Sequence, residues 1–227
     1  MMRRERFLLA ASVAFAASTL APVRAQMKEA EPNPHAEPKE KQFLEDATRF
    51  LHRTYSKTTE ASRAGFFQFT PEDRTGAISW ANLHWTSTDA EHPSQLWYDV
   101  HGRLIGADYS VLQTDSPNRP QLWGIDPRRW IGFRAHVHYG LREEGGIKFG
   151  GASAQKFEAA GGTISAPSKD VLVSMGLAKR PEDVAFVFLF PAIWDLQFWA
   201  IPNPDGEFAE YNPKVKPEHS QAHPMTM

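Results

Sequence analysis

His136-Val137-His138 is the stretch whose residue types and spacing come closest to a reactive centre. On an extended strand, side chains at i and i+2 leave the same face, so the two imidazoles stand side by side. Histidine is the commonest metal ligand, and two neighbouring neutral rings can converge on one ion. Glu143 lies four intervening residues beyond His138 and offers a carboxylate. His84, between Trp80 and Trp85 in SWANLHW, offers a third imidazole from a neighbouring strand. The expected site is therefore His136, His138, Glu143 and His84, holding a divalent transition metal or a small ligand. The competing reading is structural. Arg134, His136 and His138 lie opposite Val137 and Tyr139 in the alternation, as on any half-exposed antiparallel strand.

Other residues carry less chemistry. Asp195 interrupts the apolar run IWDLQFW. Indoors it needs a partner, because an unpaired buried charge is very costly, and Arg134 is the partner expected from the sequence. At an exposed edge it needs none. The chain holds 7 Trp and 15 Phe. Trp194, Phe198, Trp199 and the FVFLF run at 186–190 are expected in the core. Trp80, Trp85, Trp97, Trp123 and Trp130 divide between core and a ligand-facing wall. His219, His223, Met225 and Met227 offer imidazole and soft sulfur to copper, but on a segment with no rigid scaffold. With 0 Cys, disulfides, thiolate metal sites and thiol nucleophiles are excluded. Neither a G-x-S-x-G nucleophile elbow nor a G-x-x-x-x-G-K-[ST] phosphate loop is present. A net charge of −2 argues against a dedicated nucleic-acid binder.

The pattern around these residues predicts an α+β fold. Phe43, Ala47, Phe50, Leu51 and Tyr55 make one apolar stripe, so residues 41–62 are expected as an N-terminal amphipathic helix. From Phe66 to Val111 the period is two. His101-Gly102 reads as the turn of a hairpin over 95–111, with Tyr98 facing Ile105 and Leu96 facing Ala107. Ile131 to Tyr139 alternates as one further strand. Residues 153–160 and 168–176 read as short helices, and Val184 to Phe190 and Ile193 to Ile201 as apolar strands. The sheet is predominantly antiparallel, either open or barrel-like, with the short helices inserted late.

Residues 1–25 read as a signal peptide: Arg3, Arg4 and Arg6, an apolar run from Phe7 to Leu20, and a Val23-Arg24-Ala25 cleavage site. The apolar run is short for a membrane span, which needs about 20 residues. Arg3-Arg4 ahead of Phe7-Leu8 hints at twin-arginine export. Cleavage leaves Gln26 first, no transmembrane span, and a mildly acidic chain bound for the periplasm or the medium. Residues 26–40 read as a disordered spacer, 41–212 as a single domain, and 213–227 as a flexible tail.

Two family resemblances follow from particular motifs. His136, His138, Glu143 and Gly150 resemble the first half of the cupin metal motif over residues 132–150. That resemblance implies a small β-barrel and a metal held by two His and one Glu. Gly132 stands closer to His136 than the cupin spacing has it. At the Pro204-Asp205-Gly206 turn, Ala209 occupies the place of the cupin's further His. Separately, Tyr98-Asp99, Arg103-Leu104-Ile105-Gly106 and Asp108-Tyr109 look like the YD…RLIG-x-E-Y signature of the oil-body-associated protein family, with Asp108 in place of Glu. His136, His138 and Tyr139 match that family's downstream His-x-His-Tyr. This resemblance spans residues 80–140 and implies association with lipid bodies in plants and no established catalysis in bacterial members. Two expectations remain: an exported protein binding a metal or small ligand through the His pair, or a non-enzymatic envelope module binding a lipid, a pigment or another protein.

Overall fold

A computed structural model describes residues 31–86 and 89–219 of the chain. The signal segment at 1–25, the first part of the expected spacer and the tail from 220 lie outside the described residues. The architecture is α+β, and the described residues form two antiparallel sheets with no closed barrel.

Helix α1 runs over Pro38–Thr54. Proline suits the first helical turn, where its missing N–H has no partner to lose. Phe43, Leu44, Ala47 and Leu51 form the buried stripe. The helix begins inside the stretch read as spacer, because Glu40 is fully buried there. Its carboxylate takes Arg129 Nε at 2.6 Å and Arg129 Nη2 at 2.7 Å. It also accepts the backbone N–H groups of Glu37 at 2.8 Å and Asp126 at 2.9 Å. Burial alone would raise the Glu40 pKa, but the Arg129, Asp126 and Glu37 donors outweigh it and hold the group below its ordinary value.

The single helix expected over 41–62 is broken. After α1, residues 55–57 leave helical geometry and α2 spans Thr58–Arg63. The break is made by tertiary contacts. Tyr98 donates its hydroxyl to Tyr55 O at 2.8 Å, Leu104 N–H donates to Ser56 O at 3.3 Å, and Lys57 bridges to Arg103.

The larger sheet has 6 strands. They are β1 (Phe67–Gln68), β2 (Ile78–Ala81), β3 (Gln95–Tyr98), β4 (Leu104–Leu112), β5 (Trp130–Phe133) and β9 (Ile193–Trp199). Their spatial order is β1-β2-β3-β4-β9-β5. The smaller sheet has 3 strands, β6 (His136–Glu143), β7 (Gly146–Ser153) and β8 (Val184–Phe190), in the order β7-β6-β8. The run expected as one strand over 131–139 is therefore two, split at Arg134-Ala135 between the sheets. A second crossing, from β8 to β9 through Pro191-Ala192, joins the sheets beside the first.

The hairpin of β3 and β4 holds Leu96 opposite Ala107 as expected, but Tyr98 faces Leu104 rather than Ile105. The turn is one residue longer than the two-residue form. Asp99 N–H donates to Arg103 O at 3.0 Å, Gly102 takes φ +71°, and Asp99 Oδ1 accepts the N–H groups of His101 and Arg103. This matches a three-residue hairpin with a left-handed closing residue. The register shift between Trp97 and Tyr98 absorbs the offset.

Helix α1 covers one face of the larger sheet, packing on Leu96, Tyr98, Ala107, Tyr109, Leu196 and Phe198. Helices α3 (Ala154–Ala159) and α4 (Lys169–Ser174) cover one face of the smaller sheet over Val137, Tyr139 and Leu141. The segment before α1 is tied to the stretch after β9. Ala36 N–H donates to Glu207 Oε2 at 2.9 Å and Phe208 N–H to Pro34 O at 3.0 Å. Within the stretch read as a flexible tail, Val215 packs with Ala77, Ile105 and Trp199, and Glu72 accepts the N–H groups of Glu218 and His219.

Glu40→Ala is expected to destabilise the fold by about 3–5 kcal/mol, because it strands a buried guanidinium. Urea unfolding at neutral pH, followed by tryptophan fluorescence, measures it; a cost no larger than that of Asp46→Ala on the exposed side of α1 would show that the pair does not hold the helix.

Candidate functional site

Two crossings between the sheets position the His pair. Phe133 precedes one crossing and Phe190 the other, and their rings meet at 6.1 Å. His136 opens β6 directly after the first. It pairs with Phe190, and His138 with Phe188, across the β6–β8 ladder. The face of β6 carrying both imidazoles thus turns into an aromatic seam formed by Phe69, Trp85, Phe188, Phe190 and Ile193.

The reading of β6 as a half-exposed polar strand is corrected here. Val137, Tyr139 and Leu141 are buried under α3 and α4, while His138 on the other face is only 6% exposed. Both faces are covered because the smaller sheet lies between the helices and the seam. Arg134 alone of the three polar positions is exposed.

Within the seam the rings are closely held. His136 stacks on Phe190 at 4.5 Å, and His138 stacks on Phe188 at 5.6 Å and meets the edge of Phe69 at 4.9 Å. The two Nε2 atoms are 3.0 Å apart. His136 Nδ1 lies 2.8 Å from the carbonyl oxygen of Arg134, which can only accept, so this nitrogen carries the proton. In the neutral ring Nε2 then holds a lone pair, and His138 donates its Nε2 proton to it. Burial lowers the pKa of both rings, that of His138 to about 3 with a further contribution from His136. Both are neutral at pH 7, the form that ligates metals. A tetrahedral ion with nitrogens at about 2.0–2.1 Å sets its ligands roughly 3.3 Å apart, so the pair needs to open by only a few tenths of an ångström once the shared proton leaves.

The other two expected ligands lie elsewhere. Glu143 is exposed at the far end of β6, where it faces Gly146 and pairs with Lys148 at 3.2 Å. Glu143 is the fifth residue after His138 along the strand, roughly 17 Å away at the usual rise. His84 is exposed, and its neighbour Trp85 is the side chain that enters the seam, meeting Phe190 at 4.8 Å. Among the described residues no group of three or more His, Asp or Glu side chains is placed to hold a metal ion. What the pair offers is a two-nitrogen clamp walled by aromatic rings. Phe69 was not foreseen as part of that wall; the period-two signal around Phe67 and Phe69 would have suggested a strand there but not its neighbours.

Asp195 is fully buried and its partner is not Arg134. Ser110 Oγ donates to it at 2.6 Å and Gln197 Nε2 at 2.9 Å. Of the expected aromatic wall, Trp85 and Trp130 are buried, and Trp97 and Trp123 are partly buried within the packing. Trp80 is partly buried against the main core and also lines a surface groove of about 340 Å³ with Gln68, Ile78, Tyr98 and His101. That groove does not include the His pair.

Comparison with protein-family models, with curated proteins and with solved structures gives no match for this chain.

Keeping His136 and His138 neutral makes stability depend on pH. Their folded pKa values lie below the unfolded value of about 6.5, so the unfolded chain binds protons first as pH falls. The stabilisation is present above that value and is lost on acidification from about 6.5 toward 3, by on the order of 1 kcal/mol per pH unit for His138. In chelator-treated protein, His138→Gln is expected to flatten this part of the profile. Parallel profiles for wild type and variant would show that His138 is not held neutral.

Proposed function

We propose that this chain is an exported protein of the periplasm or medium that binds a divalent transition metal through His136 and His138. The remaining coordination positions are open to water or to a small ligand, and any catalysis at the site is metal-assisted. The observation that carries this reading is the 3.0 Å approach of two Nε2 atoms on rings kept neutral by burial. Aromatic stacking on Phe188 and Phe190 fixes both rings, so little ordering is needed when an ion arrives. The partly exposed His136 end of the clamp provides the route from solvent. Export is supported by Arg3, Arg4, Arg6, the apolar run to Leu20 and the Val23-Arg24-Ala25 site. Among the described residues no helix is long and apolar enough to cross a membrane. The seam is filled by its own side chains, which disfavours the alternative of a lipid or pigment held between the sheets.

Calorimetric titration with Zn²⁺ or Cu²⁺ near pH 7.5 is expected to show one site at micromolar affinity or tighter, weakening as the buffer is taken below about 6.5. His136→Ala and His138→Ala should each abolish it, whereas Glu143→Ala and His219→Ala should leave it intact. Wild type that takes up no metal under these conditions overturns the reading, and the pair is then a hydrogen bond within the seam.

The mature protein recovered from its native envelope is expected to begin at Gln26. Intact mass decides this, and retention of Met1 would sink the export assignment.

A further inference from the structure

Away from the His pair, two carboxyl groups are sealed into the larger sheet on the face opposite α1. Asp108 on β4 is 2% exposed and Asp195 on β9 is 0% exposed. The register sets Asp108 across from Gln197 and Ser110 across from Asp195, so all four side chains share one face. Ser110 and Gln197 hydrogen-bond Asp195, and Ser94 Oγ meets Ser110 Oγ at 2.5 Å. The Trp97 ring lies across Gly106, where any Cβ would collide with it. From there its indole N–H reaches the Asp108 carboxyl. Asp108 Oδ1 has no hydrogen-bond partner.

Among the described residues, no cation is among the groups that shift either carboxyl. From β3 come Gln95 and the neutral indole of Trp97, from β9 Gln197, and from β5 the apolar Ile131 opposite Asp195. The further charged group acting on Asp108 is Asp73, itself an acid. A buried carboxylate with no counter-charge is strongly disfavoured, and keeping the proton relieves it.

We propose that Asp108 and Asp195 form a proton-holding pair, a pH-sensitive element that makes the larger sheet most stable when the pair is protonated and loosens it as the pair ionises. The direction follows from linkage. Burial first, and then Asp195, push the Asp108 pKa up, and burial pushes that of Asp195 up. Between the ordinary carboxylate value of about 4 and these raised values, the folded chain holds protons that the unfolded chain has released. Stability therefore falls as pH rises through that window. The His pair acts in the opposite sense, so the two sets offset each other in mild acid and the carboxyl pair dominates above about 6.5. Trp97 carries the change outward, because it meets Trp199 at 5.5 Å in the cluster that also holds Ala77, Ile105 and Val215.

The test compares urea unfolding of the full chain and of Asp108→Asn between about pH 5 and pH 8. The variant is expected to gain on wild type at least tenfold in its folding constant across that range, with a slope of up to tenfold per pH unit. A ratio that does not change with pH overturns the proposal. If Asp108→Asn does not fold, Asp195→Asn makes the same comparison. The wild type supplies an independent measurement: at pH 7 in deuterated buffer its infrared spectrum should keep the carbonyl stretch of an un-ionised carboxylic acid. Absence of that band also overturns the proposal.

Discussion

The ion pair between Glu40 and Arg129 is the constraint on which the rest of the structure depends. Neither charge reaches water, and both are fully employed. Glu40 takes four donors, while Arg129 also gives hydrogen bonds to Asn33 O and His35 O and lies 3.9 Å from the Phe208 ring. One contact thereby fixes the start of α1, the approach to β5 and the segment at 33–35 beside Phe208. Such a pair adds little net stability over an apolar replacement, but losing one partner is severe. Its value lies in register: β5 can pair with β9 in only one position once Arg129 is seated.

That register is transmitted to the His pair through a short path. Four residues after Arg129 the chain reaches Phe133, crosses to the smaller sheet, and places His136. The return crossing at Pro191-Ala192 brings Phe190 beside it. A strand covered on both faces would ordinarily be apolar on both. Here one face keeps two imidazoles, and burial together with the Arg134 carbonyl settles their tautomers. The sheet interior makes a similar exception at Asp108 and Asp195. In both places a polar pair occupies i, i+2 or cross-strand positions inside apolar strands, and in both a proton is confined.

How much of this was legible in the sequence varies with the range of the interaction. The same-face placement of His136 and His138 followed from strand periodicity alone. So did the Leu96–Ala107 pairing, because turn chemistry and alternation agreed on it. Tyr98 slipped by one because the closing turn gained a residue that Asp99 stabilises through its own side chain. The helix break at 55–57 was not legible, since its cause is the distant start of β4. Alternation over 131–139 set Val137 and Tyr139 opposite His136 and His138, as found, but it grouped Ile131 and Phe133 with Val137, whereas Ile131 is exposed and Phe133 packs in the seam, because alternation carries no information about which sheet a residue joins. Glu143 was grouped with the His pair by spacing, and a straight strand takes it the full length of β6 away. Glu40 was absorbed into a polar spacer because its partner stands 89 residues on. Asp195 stood out as an acid within an apolar run, but its neighbours Ser110, Gln197 and Asp108 did not. Only the register brings them together.

The place of β9 in the sheet has a consequence for biosynthesis. This strand sits between β4 and β5, yet among the described residues it is the last strand in sequence order. While the ribosome is still making the first 190 or so residues, β5 has no neighbour to pair with and the open edge of β4 is unprotected. The clasp between Pro34 and Phe208 forms later still. Productive folding therefore waits for the end of translation, and contacts that span so much of the chain close slowly. Until then β4 keeps one open edge and β5 has none of its sheet partners, and both are open to chaperones.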